Sequence, residues 1–203
     1  MPLMYYIVGL GNPGKEYEFS RHNAGRIGLE DFLKNLVGVK IDEMPIDKKL
    51  NALVSDCEIN GEKARIILPE TFMNKSGDSL KPLASKIVKK KKSENLIVIH
   101  DDIDIALGGF KISFGKSSGG HKGVESIIKN IKTKDFIRIR VGISPLTPSG
   151  KIKKTDSKKI IDFIIGNFKP KELQIIKTES KKITSAIEII LKEGMQKAMN
   201  LHN

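Results

Sequence analysis

Hydrophobic and polar positions along this chain follow two periods, and the switches between them predict the order of elements. Short apolar or alternating runs bounded by glycine and polar clusters predict strands at residues 4–8, 53–59, 63–68, 96–100 and 136–143, with a shorter one at 110–114. Asn60-Gly61, between the second and third of these, is the dipeptide that a two-residue hairpin prefers. Apolar residues recurring every three or four positions predict helices near 23–36, 76–89, 123–129, 158–165 and 171–199. In the last of these, Ile176, Ile183, Ile187, Ile190 and Leu191 form one stripe, with lysines on the opposite face. Strands alternating with helices, plus one hairpin, predict an α/β fold: a single three-layer domain over residues 1–203, with a twisted mixed β-sheet flanked by helices. No internal repeat, low-complexity tract or long linker divides it.

Composition narrows the setting. With 39% hydrophobic residues among 203, the chain can fill a core without disulfides or metal, and the absence of tryptophan makes that core mainly Ile, Leu and Val. The lone Cys57 cannot form an intramolecular disulfide, and its place in an alternating run predicts a buried spectator thiol in a reducing compartment. No stretch approaches the roughly 18 apolar residues of a membrane span. Residues 1–6 run into the first strand without a charged signal region, so a cytoplasmic location is expected. The net charge of +12 suggests a polyanionic partner, because each phosphate neutralised releases counterions. Lysine-rich composition and ordinary solubility charge account equally for much of the run at 89–92. The basic segment 151–159 reads as a surface loop, either a nucleic-acid contact or a solvated turn.

Four polar clusters follow predicted strands, at the edge where open α/β sheets bind ligands. The first opens with Gly9-x-Gly11-x-x-Gly14, a match to the dinucleotide fingerprint. Pro13 removes an N–H that would cradle a pyrophosphate, and residues 15–19 delay the helix, so the turn more plausibly presents Asn12. His22 lies beyond it, between Arg21 and Asn23. The second cluster is His100-Asp101-Asp102-Ile103-Asp104, whose acidic residue would accept the N–H of a histidine and fix its tautomer. A metal site or helix capping is the alternative, although metal-dependent phosphohydrolases carry such a His-Asp pair on a helix, and Ala106 breaks an EF-hand pattern. The third spans residues 69–77, where Asn74 and Ser76 either cap a helix or join the cleft. The fourth runs through Gly119-Gly120-His121-Lys122-Gly123, whose backbone N–H groups favour an anion. Arg138 and Arg140 alternate with apolar residues, which puts both guanidiniums on one strand face, suited to phosphate.

Taken in order and spacing, these clusters resemble the bacterial peptidyl-tRNA hydrolase family from Val8 to about Pro145, with a compatible helical C-terminal region. The resemblance implies a monomeric, cytoplasmic esterase without metal or cofactor, membrane or obligate protein partner. Such an enzyme cleaves the ester between a peptide and the 3′ end of tRNA and returns the tRNA to translation. It makes His22 the base that activates water and Asp101 the group that orients it. Asn12 would hold the substrate and distinguish N-blocked from free aminoacyl-tRNA. Tyr17, Phe72 and Asn74 would line the site, Met73 would pack close by, and Arg140 with Arg138 would meet tRNA phosphate. The chemistry is consistent with this, since an activated ester needs a positioned water, a base near neutrality and oxyanion donors. Two departures stand out. Lys122 occupies a position where the family usually has asparagine, and is expected to trade an amide contact for a charged one to phosphate. Ser113 occupies a position that is often basic, with Lys111 and Lys116 as replacements. A non-catalytic RNA-binding module and a dinucleotide-dependent enzyme are the competing readings.

Overall fold

The structure is a computed structural model that describes residues 4–88, 93–153 and 155–203. The lysine run at 89–92, Lys154 and the first three residues, all part of the sequence reading above, lie outside the described residues. Seven strands build one sheet: β1 (Met4–Gly9), β2 (Ile46–Asp47), β3 (Ala52–Ile59), β4 (Glu62–Pro69), β5 (Ser93–Ala106), β6 (Phe110–Phe114) and β7 (Phe136–Ser144). Their order is β2-β3-β4-β1-β5-β7-β6. The central four, β4, β1, β5 and β7, run parallel, and antiparallel strands finish both edges. Parallel strands are buried on both faces, which is why β1 and the 96–99 stretch of β5 are almost continuously apolar.

Side-chain alternation sorts that sheet into two cores. Ile7, Ile97, Ile99, Ile137 and Ile139 meet α1 (Ala24–Ile27), α2 (Glu30–Phe32) and α6 (Pro170–Glu193) on one face. Tyr6, Val8, Leu96 and Val98 meet α3 (Ala84–Ile87) and α4 (Lys122–Ile131) on the other. Each fully buried aliphatic side chain contributes about 1.5–3 kcal/mol of transfer free energy, so the two apolar faces hold the three layers together. The chain continues through α5 (Ile160–Ile165), α6 and α7 (Met195–His202). Among the described residues, no helix is long and apolar enough to cross a membrane.

The hairpin forms as predicted, with Ile59 paired to Glu62 and both loop residues at positive φ (Asn60 53°, Gly61 83°). The helix predicted over 23–36 is instead a 3-10 turn (Arg21–Asn23), α1, α2 and a π-helical turn (Leu33–Val37). Gly25 explains part of this: a Cβ there would stand 2.3 Å from the carbonyl oxygen of Ile99, so glycine lets the segment press onto β5. The region predicted helical at 76–89 is mostly 3-10 (Met73–Ser79 and Lys81–Leu83), because Gly77 packs against the Ser126 backbone. The long C-terminal helix breaks at Gly194, at φ 88°. Cys57 is half-buried rather than buried; burial, then Asp56, push its thiol up to about 11, in keeping with an inert spectator.

Candidate active site

Two of the predicted residues, His22 and Asp101, meet just past the C-terminal end of β1, where β5 runs on beside it. The turn after β1 is tied to β5 by the Leu10 N–H, which donates to the carbonyl of Ile99 at 3.0 Å. The 3-10 turn Arg21–Asn23 then presents His22 to the strand. His22 Nδ1 lies 2.8 Å from Asp101 Oδ1, with both side chains buried. His121 Nε2 lies 2.8 Å from the same oxygen. His121 is also the N-cap of α4, its Nδ1 accepting from the N–H groups of Gly123 (3.2 Å) and Val124 (3.3 Å). An imidazole nitrogen that accepts leaves the proton on the other, so His121 donates to Asp101 through Nε2–H. Burial alone would raise the Asp101 pKa, yet His121 and His22 together hold it well below the usual carboxylate range. An ionised Asp101 takes its second N–H from His22 Nδ1, which leaves His22 Nε2 with the lone pair of a base.

Around this triad the other clusters arrive. Asn23 clamps the Asn12 backbone in both directions: its Oδ1 accepts from Asn12 N–H at 2.8 Å and its Nδ2 donates to the Asn12 carbonyl at 3.0 Å. The Asn12 Oδ1 accepts from Met73 N–H at 2.8 Å, so its Nδ2 is turned to donate elsewhere. Met73 is buried against Gly123, while Phe72, 58% exposed, meets Tyr17 edge-on with ring centres 6.4 Å apart. Asn74 is exposed and Ser76 Oγ donates to the Met73 carbonyl; neither caps the turn they share. His100, buried, donates from Nδ1 to the Asp101 carbonyl at 2.7 Å. Burial first, and the neighbouring His121 next, hold its pKa well below the ordinary imidazole range, so it stays neutral.

The two arginines share a strand face, as expected, but not a depth. Arg140 is half-buried, with Nε donating to Asp102 Oδ2 at 2.7 Å. Arg138 is 2% exposed, and its Nη1 donates to the Ser117 carbonyl beneath the glycine-rich loop. Ser113 stands opposite Arg138, and Lys111 stands opposite Arg140, exposed on the edge strand. Lys122 is the first residue of α4, exposed, with Nζ 3.1 Å from Glu125. Among the described residues, His22, Asp101 and His121 form the group able to hold a metal, with ligand atoms within 4.8 Å of one another. Their 2.8 Å contacts are hydrogen bonds, and capping of α4 keeps a proton on the His121 nitrogen that would ligate. His100, the metal ligand of the alternative reading, is turned to a backbone carbonyl instead. The dinucleotide reading fails on geometry too: the glycine turn opens only the three-residue 3-10 turn Lys15–Tyr17, with no helix N-terminus to receive a pyrophosphate.

A sequence model of the family described as peptidyl-tRNA hydrolase matches residues 6–203. The peptidyl-tRNA hydrolase of Thermodesulfovibrio yellowstonii is 36% identical over 200 residues, covering 98% of this chain and 99% of that protein. That of Alkaliphilus metalliredigens is also 36% identical over 200 residues. The crystal structure of peptidyl-tRNA hydrolase from Acinetobacter baumannii superposes with a TM-score of 0.83 at 28% identity, covering 100% of this chain and 96% of that one. This chain belongs to the peptidyl-tRNA hydrolase family. Of the residues gathered here, the sequence pattern points to His22, Asp101, Asn12 and Met73 but not to the His121 imidazole. The pattern values that segment for its backbone N–H groups alone. A histidine among glycines where a helix is about to start, the usual place of Ser, Thr, Asp or Asn, was the available signal.

Proposed function

We propose that this chain hydrolyses the ester joining a peptide, or an N-blocked aminoacyl group, to the 3′ end of tRNA, with His22 as general base. The observation that carries this reading is the 2.8 Å contact of His22 Nδ1 with Asp101, which fixes the tautomer and leaves Nε2 the lone pair of a base. Nε2 takes a proton from water as the water oxygen bonds to the ester carbonyl carbon. The resulting oxyanion is met by Asn12 Nδ2, held in place by Met73 and Asn23. When the tetrahedral intermediate collapses, the bond to the ribose 3′ oxygen breaks and the imidazolium returns its proton to that oxygen. Asp101 stabilises the imidazolium meanwhile. Asn12 also distinguishes N-blocked from free aminoacyl groups, and the pair of half-buried Tyr17 and exposed Phe72 offers ring faces to the terminal base or the peptide. Arg140, Lys111, Lys116 and Lys122 meet tRNA phosphates, while Arg138 supports them from below by holding Ser117. The enzyme acts as a cytoplasmic monomer without metal or cofactor.

Single-turnover hydrolysis of N-acetyl-aminoacyl-tRNA tests this, with and without EDTA. Release of deacylated tRNA at equal rates in both arms is the expected result. Binding without release would make the chain an RNA-binding module, and loss of activity in EDTA restored by a divalent ion would restore the metal reading.

A further inference from the structure

Arg21 precedes His22 in the same 3-10 turn, but its side chain points away from the reacting centre, into the junction of α5 and α6. Nη1 donates to the carbonyls of Phe163 (3.4 Å) and Gly166 (3.2 Å), and Nη2 donates to Glu172 Oε2 at 2.8 Å. The guanidinium carbon lies 4.7 Å from the centre of the Phe163 ring and 5.5 Å from that of Phe168. Glu172 Oε2 also accepts from the Lys169 N–H at 2.8 Å, so one carboxylate closes the first turn of α6 and receives the guanidinium. Backbone bonds run alongside: Arg21 N–H to Gly166 (3.0 Å) and Phe168 N–H to Phe19 (2.8 Å). The Arg21 side chain is only 11% exposed. Carbonyls at a helix C-terminus lack intrahelical donors and carry partial negative charge, so a buried cation there answers both needs. No residue of α5 is buried, and Ile161 and Ile165 face solvent. Half-buried Phe163 and Ile164 pack against the core, and Arg21 fastens the carbonyls at the C-terminal end of the helix.

We propose that Arg21 is a positioning residue for His22. The turn has three successive anchors: Arg21 outward to α5 and α6, His22 inward to Asp101, and Asn23 to the Asn12 backbone. Two of these lie at the reacting centre, so loss of the outer one leaves that end of the turn unanchored and shifts the imidazole. Lysine cannot substitute, because it has neither the second prong for the carbonyls nor a flat face for Phe163. The inference rests on the reading of His22 as the base.

The test uses Arg21→Lys and Glu172→Gln, with N-acetyl-aminoacyl-tRNA as substrate. Arg21→Lys should lower kcat about 10- to 100-fold, the scale of a slight misplacement of a catalytic group, with KM within about twofold. Long-range proton–nitrogen spectra of the imidazoles should show the His22 Nδ1 proton shifted or broadened, and the His121 Nε2 proton unchanged. Glu172→Gln, which keeps the carbonyl grips, should lower kcat in the same direction by less than about tenfold. Unchanged kcat and an unchanged His22 signal in folded Arg21→Lys would overturn the proposal, as would equal loss of both imidazole signals, the mark of general loosening. If Arg21→Lys does not fold, unchanged kcat in Glu172→Gln overturns it. Near-native turnover of His22→Ala would instead remove the base reading itself, an outcome distinct from either.

Discussion

Two buried polar clusters lie close together on neighbouring strands, one around Asp101 of β5 and one around Arg138 of β7, and are satisfied very differently. Around Asp101 each group has its partner: two imidazoles share one carboxylate oxygen, His121 caps α4, and Asn23 grips Asn12. Around Arg138, among the described residues, Nε and Nη2 of that guanidinium, Ser113 Oγ and His100 Nε2 are buried without a hydrogen-bond partner. Burial, then the nearby Arg140, depress the Arg138 pKa. Leaving a buried polar atom unpaired costs about 1–3 kcal/mol, so the second cluster weakens the fold while the first rigidifies it. The chemistry proposed for this chain lies where the partners are complete. His100 belongs to both, with Nδ1 on the Asp101 carbonyl and Nε2 in the unsatisfied group.

The satisfied cluster breaks most severely. His22→Ala should lower kcat by about 10²–10⁴-fold with little change in KM, because the base proposed here acts on water rather than on binding. Asp101→Asn should cost less, and the double variant should be no slower than His22→Ala alone. Steady-state kinetics of the three variants decide this; additive losses would show that the pair does not act as a unit.

The unsatisfied cluster should respond in the opposite sense. Arg138→Met removes a buried charge without a carboxylate partner, so stability to urea should stay level or rise by up to about 4 kcal/mol. Turnover should be unaffected and KM should change less than with Arg140→Met. A KM increase as large as that of Arg140→Met would make Arg138 a direct phosphate ligand.

His100 separates the clusters by pH. Its folded pKa is depressed, so the unfolded chain binds the proton first, and stability present above about pH 6.5 falls as pH drops through that range. Asp101 is depressed from the carboxylate range, so its contribution is full above about pH 4 and is lost only below it. Urea unfolding at pH 7, 6 and 5 should therefore show a decline of at most about 1.4 kcal/mol per pH unit from His100, and His100→Asn should flatten it. An unaltered slope in that variant would assign the decline to other histidines.

Where local pattern and tertiary demand agree, the sequence was readable. The period-two runs of β3 and β4 and the Asn60-Gly61 hairpin needed nothing beyond backbone preference, and β6 was found at its observed bounds. β5 was read short because Asp101, Asp102 and Asp104 look like a loop, yet the strand continues through them to pair Asp102 with Gly142 and Ala106 with Ser144. The broken 23–36 region follows from the contact of Gly25 with Ile99, which is distant in sequence and invisible to periodicity. At the site, alternation gave the shared face of Arg138 and Arg140 but not their depth, since the covering loop is a tertiary fact. The His121 imidazole was missed for a similar reason: its cap and its carboxylate partner are visible only once α4 is placed against β5.

The smallest expected effect lies outside both clusters, at Lys122. It begins α4, is 68% exposed in its side chain, and leans on Glu125 at 3.1 Å, one turn along the helix. Exposed pairs of this spacing are weak, so a phosphate arriving at the helix start can draw the lysine away. Lys122→Asn should therefore raise KM modestly at constant kcat, and reduce the slope of log affinity against log salt by about 0.7–0.9, the share of one phosphate contact. Glu125→Gln frees the ammonium and should lower KM, giving the opposite sign from a neighbouring position. An unchanged salt slope in Lys122→Asn would mark a solvated lysine whose partner is Glu125 alone. A collapse of kcat would move Lys122 into the satisfied cluster's chemistry, and the boundary between the reacting centre and the RNA-binding surface would then have to be drawn one residue beyond His121.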